Sequence, residues 1–324
     1  MKRILYFLLF VFGVYLGLPG PRPQGPVFPT RPQGADPILR IDVYHAEKGT
    51  VVRLDLEDYV KGVVACEMPA SAGLEALKAQ AVLARTYASR KMRILGGAPT
   101  RQDADVTSDY RQDQAWAPVE ELKERWGAVG WWLNWPKIER AVEETRGLIL
   151  TYNASPAEVV FHSTCGGRTE ASKDVWIKDL PYLQSVTCDF CSHSPYYNPQ
   201  TVTIPLSKVS SALGGLGVSV PVSTLASGGF PVVSQVSPTG RIKEVLVGGE
   251  RIRGLEFRMA LGLRSTNLSW AIRGNNAVFQ VKGYGHGVGM CQYGADGMAK
   301  QGRSYSEILS YYFPGTKVTA IFEE

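Results

Sequence analysis

From residue 54 to 90 the apolar and polar positions keep a helical rhythm. Counting from Leu56, the residues Tyr59, Val60, Val63, Val64, Glu67 and Met68 fall at three- and four-residue steps and share one face. A single acid thus stands in an apolar stripe. Asp55 suits the N-cap, and Pro69 ends the helix just past the acid. Ser71 then reads as the cap of a second helix over 74–92, rich in Ala and strong helix formers. On that helix Lys78 and Arg85 lie seven apart on one face, and Gln80 and Tyr87 make a second such pair.

Elsewhere the pattern alternates between the two periods. Strands are predicted over 38–44 and 50–54, with a turn at Lys48-Gly49, and an extended piece over 105–107 inside a polar loop, 96–116. A helix over 136–146 stops at Gly147, and a hairpin follows over 147–152 and 157–163. Further on come helices over 206–213 and 255–263, a hairpin around Gly248-Gly249 and a strand over 278–282. Ser304 and Glu307 form a capping box that opens a last helix ending before Pro314. Strands and helices mixed in this way predict an α+β fold, one domain over 38–324.

The N-terminus is of another kind. Lys2 and Arg3 precede an uncharged apolar run over 4–18, the layout of a signal peptide or transmembrane anchor; no small-x-small cleavage site is evident, which favours the anchor. Residues 19–37 are a Pro/Gly-rich linker that cannot pack a core. The expectation is an exported protein, membrane-anchored or secreted. A net charge of +5 on 324 residues suits an anionic polymer, and the chain carries no P-loop, dinucleotide fingerprint or nucleic-acid signature, so nucleic acid is not an expected partner.

The chemistry points first to Glu67. An acid in a part-apolar pocket at a helix C-terminus is disfavoured from ionising by burial and by the dipole, and so can donate a proton near neutrality. Two segments add polar groups between glycines: FHSTCGG, with His162 and Ser163, and GYGHGVGMCQYG, with His286 and Gln292. Trp116, Trp126, Trp131, Trp132 and Trp135 crowd a short interval, either as core or as a wall on which sugar rings stack. The five cysteines cannot all pair internally. Cys188 and Cys191 form a CxxC; with Cys165 and His193, or His162 in its place if the turn brings it round, they make the ligand set of a structural zinc. The competing reading is a Cys188–Cys191 disulfide. Cys66 and Cys291 read as buried thiols or a second disulfide.

Three motifs, LEDYVKGVVACEMPASAGLEALKAQAVLARTYA, FHSTCGGRTE and GYGHGVGMCQYGADGMAKQG, together resemble the SpoIID/LytB family, with a likeness running over 38–318. The resemblance implies a SpoIID-type domain and a lytic transglycosylase that cuts peptidoglycan between N-acetylmuramic acid and N-acetylglucosamine, preferring strands stripped of their peptides. It puts the catalytic glutamate on Glu67 and neighbouring polar positions on Lys78, Gln80 and Arg85, which are expected, together with His162, Ser163, His286 and Gln292, to bind the substrate sugar. It also implies a bound zinc in some members, and partnership with a cell-wall amidase and membrane proteins. Cys66 and Cys291 depart from the family pattern, which has Ala and a hydroxyl residue there. One acid without a second agrees with a lytic reaction, which needs no hydrolytic base and no cofactor for its chemistry. Two rivals stand beside it: a non-catalytic wall-binding module that stimulates an amidase, and a catalytic zinc for amide hydrolysis.

Overall fold

The computed structural model describes residues 38–176 and 178–322. The predicted anchor and the linker lie outside the described residues. Helices and strands mix throughout as the α+β expectation requires, and the chain forms two compact units. The stretch read as one domain is shared between them. The first unit takes the chain to Val160 and regains Met298–Tyr311 and the C-terminal residues; the second holds Phe161–Gly297 and Tyr312–Pro314.

In the first unit β1 (Arg40–His45) pairs antiparallel with β2 (Thr50–Asp55) and parallel with β3 (Val106–Thr107). The chain leaves β2 directly into α1 (Leu56–Glu67), where the Asp55 carboxylate caps the Glu57 N–H at 2.7 Å. α2 (Leu74–Ser89) starts at Gly73, without a side-chain cap. Ser71 is therefore not the cap: a tight turn, Ala72 N–H to Pro69 O, uses up the connection before it. α1 and α2 bury Tyr59, Val60, Val63, Leu77, Val82 and Leu83 completely.

α3 (Val119–Glu143) corrects the reading that placed a helix only from Pro136. It begins much earlier, bends at Gly127 (φ 66°) and runs on through Pro136. Proline deprives the carbonyl four residues back, that of Trp132, of its donor; Trp132 is 74% exposed, so water can supply one. β4 (Leu148–Tyr152) turns at Asn153-Ala154, both left-handed, into the two-residue β5 (Ser155–Pro156), so the predicted second arm is far shorter than 157–163. The C-terminal strand, Lys317–Ala320, pairs with β4.

In the second unit β6 (Phe161–His162) pairs parallel with Met290–Cys291 of the glycine-rich segment. Two three-stranded sheets follow, one of Gln200–Pro205, Leu268–Arg273 and Asn276–Val281, the other of Val232–Val236, Ile242–Val247 and Glu250–Arg253. Their common core is Leu206, Val209, Val245, Phe257 and Phe279, each at most 1% exposed. The capping box forms as read: Ser304 N–H meets Glu307 Oε2 at 2.9 Å and opens the helix Tyr305–Tyr312.

Candidate functional site

Glu67 is the last residue of α1, where its apolar stripe turns inward, and is 1% exposed. Oε1 accepts the Ala115 N–H at 2.7 Å. Burial pushes the carboxyl up to about 8, against the opposing pull of that one N–H. The acid is therefore mostly protonated at neutral pH, the state a proton donor needs.

The loop that supplies the Ala115 N–H is anchored by a residue the sequence did not single out. Asp113, 2% exposed, accepts from the Tyr87 hydroxyl at 2.5 Å, the Thr100 hydroxyl at 2.8 Å and the Thr107 N–H at 2.8 Å. Tyr87 thus belongs to the scaffold of the site. The available signal was weak, a polar loop with one Asp among many. Trp116 follows, stacked on Tyr59 at 6.5 Å, and α1 approaches it so closely that a Cβ on Gly62 would lie 2.5 Å from Trp116 Nε1 and 2.8 Å from Ala117 O. Glycine is required there for contact, not for its dihedrals. Arg125 Nη1 of α3 reaches Cys66 Sγ at 3.9 Å, and burial pushes that thiol up to about 11, so it is no thiolate nucleophile.

The tryptophans differ in burial. Trp116 and Trp135 are buried and line a cavity of about 450 Å³ with Asp58, Lys61 and Glu139. Trp131 stacks on Trp135 at 4.4 Å and leans toward Trp126 at 6.2 Å, forming a short aromatic ladder, while Trp132 projects outward.

The three polar residues of α2 are not laid open beside the acid. Arg85 is fully buried and bidentate on Glu57, at 2.9 and 2.5 Å, with a further bond to Leu148 O. Lys78 is held by Glu75 at 2.6 Å and Glu144 at 2.5 Å. Gln80 is fully buried. The seven-residue spacing placed Lys78 and Arg85 on one face correctly, but that face packs on the unit's own acids.

His162, Ser163, His286 and Gln292 lie in the second unit. His286 is 4% exposed; Nε2 donates to Phe161 O at 2.9 Å and Nδ1 accepts the Val288 N–H at 3.1 Å. Burial holds it well below the usual imidazole range, so it is a neutral ring that ties the glycine-rich segment to β6. His162, equally buried, donates from Nδ1 to Val288 O at 3.0 Å. The Ser163 hydroxyl lies 3.3 Å from that of Thr164, and Gln292 is 6% exposed.

The cysteine cluster assembles with one change of member. Cys165, Cys188, Cys191 and Cys291 are all buried, and their sulfurs lie within 4.8 Å of one another. His193 is not the fourth member: its Nε2 pairs with Asp296 Oδ2 at 2.8 Å. The glycine-rich segment supplies the fourth sulfur instead. All five cysteines are free, so neither the Cys188–Cys191 nor the Cys66–Cys291 disulfide is formed. The donor set suits a tetrahedral thiolate metal site: backbone N–H groups of Cys165 and Gly294 point at Cys291 Sγ, both at 3.3 Å, as they do where sulfur carries charge. A Cβ on Gly294 would sit 2.6 Å from Cys188 Sγ, so glycine is needed beside the cluster. With four protein sulfurs there is no open coordination position, which disfavours a hydrolytic metal.

The stage II sporulation protein family pattern matches residues 44–152, the span holding Glu67, Arg85 and Asp113. A stage II sporulation protein D from Bacillus subtilis (strain 168) is 36% identical over 281 residues, which cover 87% of this chain and 79% of the relative. The chain belongs to the stage II sporulation protein D family. A family member from Bacillus amyloliquefaciens is 35% identical over 296 residues, 89% of this chain and 82% of its own. An amidase enhancer from Bacillus subtilis (strain 168) is 30% identical over 312 residues, 81% of this chain and 40% of its own.

Proposed function

We propose that this family member is an exported lytic transglycosylase of peptidoglycan, with Glu67 as its single acid and base. The observation that carries the reading is a sheltered carboxyl with its pKa raised to about 8 at the end of α1. In the proposed reaction Glu67 gives its proton to the oxygen between N-acetylmuramic acid and N-acetylglucosamine. The bond from C1 to that oxygen breaks, and the muramyl C6 hydroxyl closes on C1. Glu67 takes back the hydroxyl proton, leaving a 1,6-anhydro end and no consumed water. Because Glu67 is so little exposed, the glycan must displace part of its cover to reach it. The half-buried Trp126 and Trp131 and the exposed Trp132 offer stacking surface for sugar rings, and the net positive charge suits an anionic wall.

The cysteine cluster fits a structural zinc held by Cys165, Cys188, Cys191 and Cys291, which would cross-link three segments of the second unit and take no part in the chemistry. A membrane anchor ahead of the linker would hold the enzyme at the wall.

A second reading rests on the likeness to an amidase enhancer: the chain binds wall and stimulates a partner amidase without cutting glycan itself. Glu67→Gln keeps the shape and removes the acid, so it separates the two. Mass spectrometry of products from peptide-free peptidoglycan should find anhydro ends with the natural chain, and at least about 100-fold fewer with Glu67→Gln. Undiminished cutting by Glu67→Gln, or reducing ends in place of anhydro ends, would sink the proposal.

A further inference from the structure

The second unit contains a cavity of about 390 Å³, in the size range of small-ligand sites, that the chemistry proposed for Glu67 does not use. Its lining includes Glu170, Arg241, Trp176, His286, Lys243 and Asp174. Glu170 is 1% exposed, and its Oε1 makes no hydrogen bond among the described residues. The nearest cation, Arg241 Nε, stands off at 3.7 Å, too far for a hydrogen bond. Arg241 is itself 2% exposed, with its two amino groups already spent on Ser265 Oγ at 2.8 Å and Cys165 O at 2.5 Å. A buried carboxyl and the Nε edge of a buried guanidinium therefore border one space without closing on each other. Such a gap costs stability unless something bridges it.

What would bridge it follows from the charges. Asp174 is engaged by Lys243 at 3.0 Å, and Glu244 by Arg251 at 2.6 Å, so the remaining acid is Glu170 alone. One carboxyl beside a guanidinium is a poor cation site. Phosphate meets the same two groups but has no carbon face to lay on Trp176. A carboxylate fits both groups, since it can share one proton with Glu170 and accept the Arg241 Nε–H. Burial raises the Glu170 carboxyl above its ordinary range, which keeps that proton at hand. Trp176 and His286, with ring centres 5.1 Å apart, form an aromatic panel in the same lining.

We propose that this cavity is a carboxylate-binding site, seating a ligand's carboxylate between Glu170 and Arg241 and its carbon face on Trp176. The ligand class is a hydroxy acid or a sugar bearing one, and binding is independent of the reaction at Glu67. Calorimetric titration of the chain carrying Glu67→Gln tests it with lactate, N-acetylmuramic acid, N-acetylglucosamine and inorganic phosphate. The two carboxylates should bind and the other two should not. Equal affinity for the two acids assigns the site to free hydroxy acids; tighter N-acetylmuramic acid assigns it to the acid sugar of the wall. Glu170→Gln, which still donates, should retain binding within a few-fold. Glu170→Leu should lose at least about tenfold. Should the Leu variant not fold, the Trp176 indole N–H resonance, identified by its loss in Trp176→Phe, must shift when acid is added to the Glu67→Gln chain. No carboxylate binding, equal binding of N-acetylglucosamine, an unchanged Glu170→Leu, or a silent Trp176 signal would each overturn the assignment.

Discussion

The two units build their chemistry by opposite means. In the first, Glu67 is prepared by its own helix: α1 turns the stripe inward, and one loop N–H completes the environment. In the second, no single element prepares anything. The sulfurs come from positions 165, 188, 191 and 291: Phe161–His162 pairing with Met290–Cys291 brings Cys165 to Cys291, and the Cys188 N–H on Gly167 O at 2.8 Å ties in the CxxC. A local device depends on solvent exclusion around one residue. An assembled device depends on the register of a strand pair more than 120 residues apart, and it fails as a whole.

That contrast breaks most visibly at the cysteine cluster, on the proposal that it holds zinc. Cys291→Ser should remove the fourth sulfur, release zinc to a chelating dye and melt the second unit, since structural zinc binding is worth about 10 kcal/mol or more. His193→Ala should leave bound zinc unchanged and cost about 1 kcal/mol or less for a partly exposed pair. Metal content by mass spectrometry beside thermal melts reads both. Zinc lost from His193→Ala but kept in Cys291→Ser would restore the ligand set read from spacing.

How far the sequence could be read follows the same division. The stripe from Leu56 to Met68, the Asp55 cap and the Pro69 stop are local, and helical period alone placed Glu67 where burial raises it. The CxxC is equally local, and Cys188 and Cys191 do lie together. The fourth member of the cluster was not legible because His193 is close in sequence and Cys291 is close in space; spacing rules reward the former. For the same reason Asp113 passed unnoticed: its three donors come from a helix, a loop and a strand. The long α3 was cut short because Pro136 reads as a helix start, whereas it sits in mid-helix four residues after the exposed Trp132.

A sharper form of the comparison uses pH on the first unit alone. Glu67 has its folded value raised from 4.5 to about 8. Its protonated form is favoured by folding, so its contribution is fully present below the unfolded value and is lost as pH rises through the folded one. From pH 4.5 to about 8 the natural chain should lose stability, by at most about 5 kcal/mol from this group. Glu67→Gln cannot ionise and should flatten that slope, melting higher than the natural chain at pH 9 and about equally at pH 4. Denaturant titrations at the two pH values measure it. Parallel slopes would mean that Glu67 is solvated and that the proton donor must be sought elsewhere.

A smaller effect than that of the acid is expected at Arg85, which the helical face and the family resemblance both offered as a sugar ligand. The structure gives it to Glu57, whose Oε1 also accepts the Gly147 N–H at 3.2 Å. Truncating one partner leaves the other buried and uncompensated, so Arg85→Met should cost about 3 kcal/mol. Adding Glu57→Gln removes the stranded charge and should recover much of that loss, a coupling that a double-mutant cycle isolates. A sugar ligand would behave differently. Its loss would raise KM for the glycan, and restoring stability through Glu57 would not bring KM back. If KM stays put while the double substitution recovers the melt, Arg85 serves the scaffold that holds α1, and through it the acid at its end.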